Sequence, residues 1–221
     1  MILVLGASSQ IGYYLLQALD RRHYPCLAVS RYAPPAWGVA RDVCWLQHDL
    51  DESALHSDAS ILISAGALRH VAKTVRQMPR VNQVIAISSS SISNKQGTKN
   101  SAELAVIDEL VSAELALEIA CEEKDIPLTI LRPTLVYGCG LDKNLSRIVT
   151  WLQKRPWFPI AGKAQGLRQP VHAEDIAQLC LNCVDLERAA AGVFSIGGAE
   201  PLPYKDMVRL TARAIERPLT F

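Results

Sequence analysis

The sequence lacks any stretch near the roughly 20 consecutive apolar residues that a membrane-crossing helix needs, so no helical span is expected. It also lacks an excess of either charge. Its 23 basic and 22 acidic residues give a formal net charge of +1 and are mixed along the chain, so no electrostatic footprint for nucleic acid or an anionic membrane surface is expected. The first apolar run has no basic segment ahead of it, which argues against an N-terminal signal. Metal-ligand clusters are missing too. The six cysteines (Cys26, Cys44, Cys121, Cys139, Cys180, Cys183) lie in apolar or helical contexts, and Cys180-Leu-Asn-Cys183 has no second ligand pair. They read as reduced core residues of a cytoplasmic protein without a metal site. No internal repeat and no low-complexity tract occurs.

What is present suits one well-filled domain over residues 1–221, since 221 residues at 49% hydrophobic content support a single core and not two comfortable ones. Apolar runs of strand length alternate with helical patterns: strands are expected near Ile2–Leu5, Cys26–Val29, Val43–Leu46, Ile61–Ser64, Gln83–Ile87, Leu128–Leu131 and Val193–Ser195. Such alternation predicts an α/β fold, a Rossmann-like doubly wound parallel sheet covered on both faces. The longest helix runs from about Ala102 to Lys124, with Asn100 placed to cap it and Glu103 to reach back. Two segments break the rhythm: Tyr32–Arg41, with Pro34 and Pro35, and Gly138–Arg168, which holds one short helix at Asn144–Gln153. Segments at about 138–170 and 197–221 form a small substrate-side region.

The chemistry begins at the first turn. The strand ending at Leu5 passes directly into Gly6-Ala-Ser-Ser-Gln-Ile-Gly12, a glycine that tolerates positive φ followed by a glycine opening an apolar helix, so Gly6, Ser8, Ser9, Gln10, Ile11 and Gly12 are expected to place free N–H groups under a pyrophosphate. A third glycine is usual at the position of Ser9, whose hydroxyl offers a phosphate hydrogen bond instead. After the second strand stands Ser30-Arg31, with no carboxylate at that strand end. A guanidinium there pairs with a 2′-phosphate, which favours NADP(H) over NAD(H). Asp49 is read in two ways, as an acceptor for the adenine amino group or as a cap on the turn at Asp51-Glu52. Ala65, Gly66 and Ala67, all small, suit backbone passing close to a cofactor or plain helix–strand packing.

The order of further motifs resembles the short-chain dehydrogenase/reductase superfamily, and within it the extended branch of NAD-dependent epimerases and dehydratases. Ile87-Ser-Ser-Ser-Ser91 resembles the strand end that carries the catalytic serine, Ser90 here, with Ser88 beside the cofactor. Ile130-Leu-Arg-Pro-Thr-Leu-Val-Tyr-Gly138, Gln169-Pro-Val-His-Ala-Glu-Asp-Ile-Ala177 and Val193-Phe-Ser-Ile-Gly-Gly198 follow in the family's order. Pro156-Trp-Phe-Pro-Ile-Ala-Gly162 and Gly166-Leu-Arg-Gln-Pro170 look closest to atypical members, including relatives of the respiratory complex I accessory subunit that hold a nucleotide without turning it over. The resemblance implies a nucleotide-sugar or similar polar metabolite as substrate and a homodimer paired through the long helix. Its extended members run longer than this chain, so a chain ending at Phe221 is expected to have an incomplete substrate cap.

Catalytic members place a tyrosine and a lysine four residues apart on the long helix, where the lysine lowers the phenol pKa from about 10. This chain has no such pair: no tyrosine lies between Tyr32 and Tyr137, and no tyrosine has a lysine four residues on. Counted back from Arg132, the equivalent positions are Leu110 and Glu114. Glu114 shares a helical face with Ile107, Leu110, Leu117 and Cys121, and is read either as a half-buried acid or base acting with Ser90 or as the partner of a nearby cation. Lys95, Lys99 and Lys143 reach the pocket or stay solvated. Tyr137, Arg147 and Trp157 are expected to wall a substrate pocket, and His172 to cap or pack the late helix. Two functions follow: an NAD(P)-binding epimerase/dehydratase-like protein without the usual tyrosine chemistry, or a non-catalytic nucleotide sensor or scaffold.

Overall fold

The computed structural model describes residues 1–34, 43–53, 55–66, 68–94, 97–186 and 191–221. In chain order the elements are β1 (Ile2–Leu5), α1 (Gln10–Arg21), β2 (Cys26–Ser30), β3 (Val43–Gln47) and β4 (Ile61–Ser64), then a 3₁₀ turn (Leu68–His70) running into α2 (Val71–Gln77). There follow β5 (Gln83–Ile87), α3 (Ser91–Asn94), α4 (Ser101–Glu122), β6 (Leu128–Pro133), β7 (Leu135–Tyr137), α5 (Leu145–Lys154), β8 (Leu167–Arg168), β9 (Pro170–His172), α6 (Ala173–Asp185), β10 (Gly192–Ile196), β11 (Leu202–Pro203) and α7 (Tyr204–Ala214).

Seven strands form one sheet in the order β10-β6-β5-β4-β1-β2-β3, every pair parallel. These are the seven strands the apolar runs predict. The order reverses direction at β1, whose neighbours β2 and β4 lead to opposite edges, and the crevice opened at the carboxyl ends there is where a doubly wound sheet receives a ligand. Strands buried on both faces need near-continuous apolar sequence, and Ile2, Leu3, Val4 and Leu5 are all buried. On one face Leu15, Leu19, Ile176 and Cys180 of α1 and α6 pack against the sheet; on the other, Val75 and Met78 of α2's end and Leu117 and Ala120 of α4 do so.

Asn100 caps α4 as expected, its side chain accepting from the amides of Ala102 and Glu103. The return contact differs. The Asn100 amide donates to Thr98 Oγ1, and that hydroxyl donates to Glu103 Oε2 at 2.9 Å, so Thr98 relays what Glu103 was expected to do directly. A third, smaller core gathers Ile148 and Leu152 of α5 with Met207, Val208 and Ala212 of α7. The cysteines are free, with Cys26, Cys121 and Cys180 buried; burial pushes the Cys121 thiol up to about 12 and raises that of Cys180 as well. Cys44 departs from the expectation of a core residue, because β3 is the sheet edge and leaves it exposed. Among the described residues no helix is long and apolar enough to cross a membrane, and no three His, Cys, Asp or Glu side chains are arranged to hold a metal. Of the Tyr32–Arg41 break, the part beyond Pro34 lies outside the described residues, as do Ala67 and Lys95.

Candidate functional site

At the end of β1 the chain turns through Gly6 at φ +70°, where a Cβ would stand 2.9 Å from the Gly66 amide nitrogen. A Cβ on Gly12 would stand 2.5 Å from the Ala7 carbonyl oxygen, so only glycine lets α1 start this close to the strand. Ser9 has an ordinary φ of −75° and is the N-cap of α1: its Oγ accepts from the Gly12 amide at 3.0 Å and donates to the Ala65 carbonyl at 2.9 Å. That single proton is therefore spent inside the protein, and the hydroxyl is not the phosphate donor expected from the sequence. The turn offers the amides of Gln10 and Ile11 instead, which have no protein partner among the described residues and sit at the positive end of α1. Ser8 faces Ser30, hydroxyl to hydroxyl at 2.8 Å.

Beside this turn lies a cavity of about 300 Å³ that collects Gly6, Ser8, Ser9, Arg31, Asp49 and Gly66 from the expected set. The Arg31 guanidinium stands 5.7 Å from the Tyr32 ring centroid. Asp49 takes the turn-capping role, Oδ1 accepting from the Asp51 amide at 2.9 Å, while still bordering the cavity. Sequence reasoning missed Asp51, Arg69 and His70, which line the same space from β3's end and from the 3₁₀ turn after β4. Arg69 grips both Asp51 oxygens, at 3.2 and 2.9 Å, and His70 Nε2 lies 3.3 Å from Asp51 Oδ1. The hydrogen bond from Arg69 holds the Asp51 carboxyl below the usual carboxylate range, and burial lowers His70 against the pull of Asp51. The absence of carboxylate at the end of β2 is thus offset by two carboxylates brought in from the neighbouring strand end.

A second cavity, of about 350 Å³, continues inward past Gln10, Ile11, Ala65 and Ser88 to Leu110 of α4. Two buried oxygens bordering it, Ser88 Oγ and Gln10 Oε1, have no hydrogen-bond partner among the described residues, whereas Gln10 Nε2 donates to the Val136 carbonyl at 3.2 Å. Leu110 lies on the wall of this cavity, at the position where the family resemblance puts a tyrosine. Glu114, one turn on, does not border it. Its carboxylate is buried and takes two hydrogen bonds from Arg132, Nε to Oε1 at 3.0 Å and a terminal nitrogen to Oε2. The reading of Glu114 as a free acid or base therefore gives way to the ion pair, because both its oxygens are already engaged; the same contact raises the Arg132 pKa.

A wider opening, of about 810 Å³, runs from Gln10 and the Ser89-Ser90-Ser91 row past Asn94 and Gln169 to Lys143 and Arg168. Ser90 is buried at its floor. Tyr137, Arg147 and Trp157 do not border it. Tyr137 belongs to β7, which pairs with β9, and its ring meets His172 edge-on at 5.1 Å. Arg147 is exposed on α5, and Trp157 is committed to Trp151, ring to ring at 5.3 Å. His172 caps α6 as read, Nδ1 accepting from the Glu174 amide at 3.3 Å. The charges are also less evenly mixed than a pass along the chain suggests: residues 138–170 and 197–221 carry ten basic side chains against four acidic ones, and Lys143 and Arg168 bring two of them to the cleft.

The groups present fit a dinucleotide: a glycine cradle that a Cβ would fill, two open amides above it and an orphaned buried hydroxyl at its far end. No protein-family model matches the chain. In sequence it is 28% identical over 106 residues to a UDP-glucose 4-epimerase of Vibrio cholerae, a match spanning 48% of this chain and 32% of that protein. In structure it superposes on a UDP-glucuronic acid 4-epimerase of Bacillus cereus in complex with NAD with a TM-score of 0.81 at 19% identity, covering 99% of this chain and 84% of the other. An NAD-dependent NDP-hexosamine 5,6-dehydratase of tunicamycin biosynthesis gives 0.72 at 17%, covering 99% and 82%. The chain has the fold of these NAD-dependent nucleotide-sugar epimerase and dehydratase structures, and its sequence match spans about a third of the length of the Vibrio cholerae relative.

Proposed function

We propose that the chain binds a nicotinamide dinucleotide across Gly6–Gly12, with NADP(H) preferred over NAD(H), and holds a nucleotide-sugar in the cleft above Ser90 without tyrosine-driven hydride transfer. The observation that carries this is the pairing of two open amides, at Gln10 and Ile11, with an apolar Leu110 where a proton donor would stand. The pyrophosphate would rest on those amides, the adenosine ribose beside Arg31, Asp49 and Asp51, and the nicotinamide end against Ala65, Gly66, Ser88 and Leu110. When bound, the cofactor supplies a hydride acceptor or donor; the chain itself supplies position and the exclusion of water. Arg31 supports the phosphorylated cofactor, since its guanidinium lines the cavity with no carboxylate hydrogen bond among the described residues while Arg69 is tied to Asp51. Lys143 and Arg168 suit a diphosphate, and the hydroxyls and amides of Ser90, Ser91, Asn94 and Gln169 suit a sugar.

Any turnover would have to use Ser90 with Lys143, which share the cleft, because Glu114 is locked to Arg132. Incubation with NADPH and a panel of nucleotide sugars, following nicotinamide absorbance and sugar identity, tests this. Sugar conversion lost in Ser90→Ala supports the enzyme. Tight cofactor binding without conversion supports the second reading, a nucleotide sensor or scaffold, which Leu110 and the Glu114–Arg132 pair favour.

The chain is also proposed to pair with a second copy through α4. Leu104, Val111, Leu115 and Ile119 are exposed at spacings that place them along one side of the helix, an apolar stripe that a monomer would leave in water.

A further inference from the structure

The adenosine-side cavity holds an arrangement that the motif pattern does not account for: a carboxylate, Asp51, clamped between cations at the place where cofactor choice is made. Asp51 stands two residues beyond Asp49 in the same turn, its amide bound to Asp49 Oδ1. Arg69 reaches it from the 3₁₀ turn after β4 with one nitrogen, Nη2, donating to both Asp51 oxygens, and His70 closes from beside it. Arg31 borders the same cavity, and its charge acts on the Asp51 carboxyl in the same direction. Asp51 and Arg69 are each about half exposed, at 47% and 50%, so the pair faces the cavity and is not part of the core.

Asp51 can be shared between the two arginines in two ways, with Asp49 held in its own turn and Glu109 lying 3.5 Å from the other terminal nitrogen of Arg69. With Arg69 on Asp51, the negative charge is met locally and Arg31 stays available to an incoming anion. Without Arg69, Asp51 is left facing the cavity that Arg31 also borders, and a bare carboxylate is an acceptor for ribose hydroxyls. We propose that Arg69 is a positioning residue for cofactor selection: by holding Asp51 it keeps Arg31 free for a 2′-phosphate, and its removal turns the site toward the unphosphorylated cofactor. This rests on the dinucleotide reading above and assigns Arg69 no contact with the cofactor.

The test is calorimetric titration of wild type, Arg69→Gln, Asp51→Asn and the double variant with NADPH and NADH, and with the fragments adenosine 2′,5′-bisphosphate and 5′-AMP. In Arg69→Gln the NADPH-to-NADH affinity ratio should fall by roughly fivefold, the scale of an exposed ion pair, and the fragment ratio should follow it. Asp51→Asn should keep or raise both ratios, and adding Asp51→Asn to Arg69→Gln should restore them. Unchanged ratios in Arg69→Gln overturn the inference. So does a fall that the double variant fails to rescue, which would mean that Arg69 itself touches the phosphate. Failure of wild type to bind either dinucleotide overturns the cofactor reading, and this inference with it.

Discussion

Glu114 and Arg132 meet side to side where α4 packs on β6, the Arg132 Nε donating to Glu114 Oε1 at 3.0 Å while a second nitrogen donates to Oε2. The carboxylate is buried and the guanidinium largely so. A chain built for tyrosine-driven chemistry would present a cation from α4 at this position. This one presents an anion from α4 and meets it with a cation from the sheet, so the pair's work is to hold the helix.

Removing one partner should therefore cost stability. Glu114→Gln leaves a guanidinium buried without its counter-charge and should lose about 3 kcal/mol, read as a lower urea midpoint at unchanged slope. Glu114→Leu combined with Arg132→Met should lose distinctly less, because both charges leave together. Equal losses would show that shape rather than charge holds α4.

The serine at the middle of the glycine turn should behave as a cap. Ser9→Ala removes the acceptor for the Gly12 amide and the donor to Ala65, and should destabilise the fold by about 1–2 kcal/mol in the same denaturation assay.

Arg31→Ala should weaken NADPH by about 1.5–3 kcal/mol and leave NADH unchanged in a parallel titration. Equal losses for both cofactors would contradict the assignment of Arg31 to the 2′-phosphate.

Asp142 gives a pH dependence. Burial alone would raise its pKa, but hydrogen bonds from the Ser146 hydroxyl and from amides of the first turn of α5 outweigh this and lower it. A carboxyl whose folded pKa lies below its unfolded value stabilises fully above the unfolded pKa and loses that contribution as pH falls through the folded one. Wild type should exceed Asp142→Asn by about 1 kcal/mol at neutral pH, with the gap closing below about pH 4. A gap that persists in acid would mean that the carboxylate's charge is not what caps α5.

Leu115→Glu, on the exposed stripe of α4, should shift the protein from dimer to monomer in sedimentation velocity without lowering its melting temperature as a monomer. A wild-type protein that sediments as a monomer removes this proposal.

The parallel sheet was legible because strands buried on both faces cannot hide their composition, and β1 or β5 reads as an unbroken apolar run wherever it is met. The turn at Gly6–Gly12 was legible for a related reason, since close approach of helix to strand leaves no chemical choice but glycine. The failures have their own logic. Tyr137 and Trp157 are apolar enough to wall a pocket or to pack a satellite core, and only the pairing of β7 with β9 and the ring contact with Trp151 decide between them. Arg69 and Asp51 are 18 residues apart, and no local pattern announces a side-chain pair closed by the crossing of two loops. Glu114 was legible as inward-facing but its partner was not, because Arg132 arrives from a separate element, β6.

The central claim, that the first crossover presents open amides to a diphosphate while the groups for proton delivery are absent beside it, is tested most directly by one titration. Wild-type protein titrated calorimetrically with NADPH should show saturable one-to-one binding, and any change in nicotinamide absorbance on adding a nucleotide-sugar to the complex should be lost in Ser90→Ala. Absence of saturable binding, or cofactor turnover that persists in Ser90→Ala, would contradict the account.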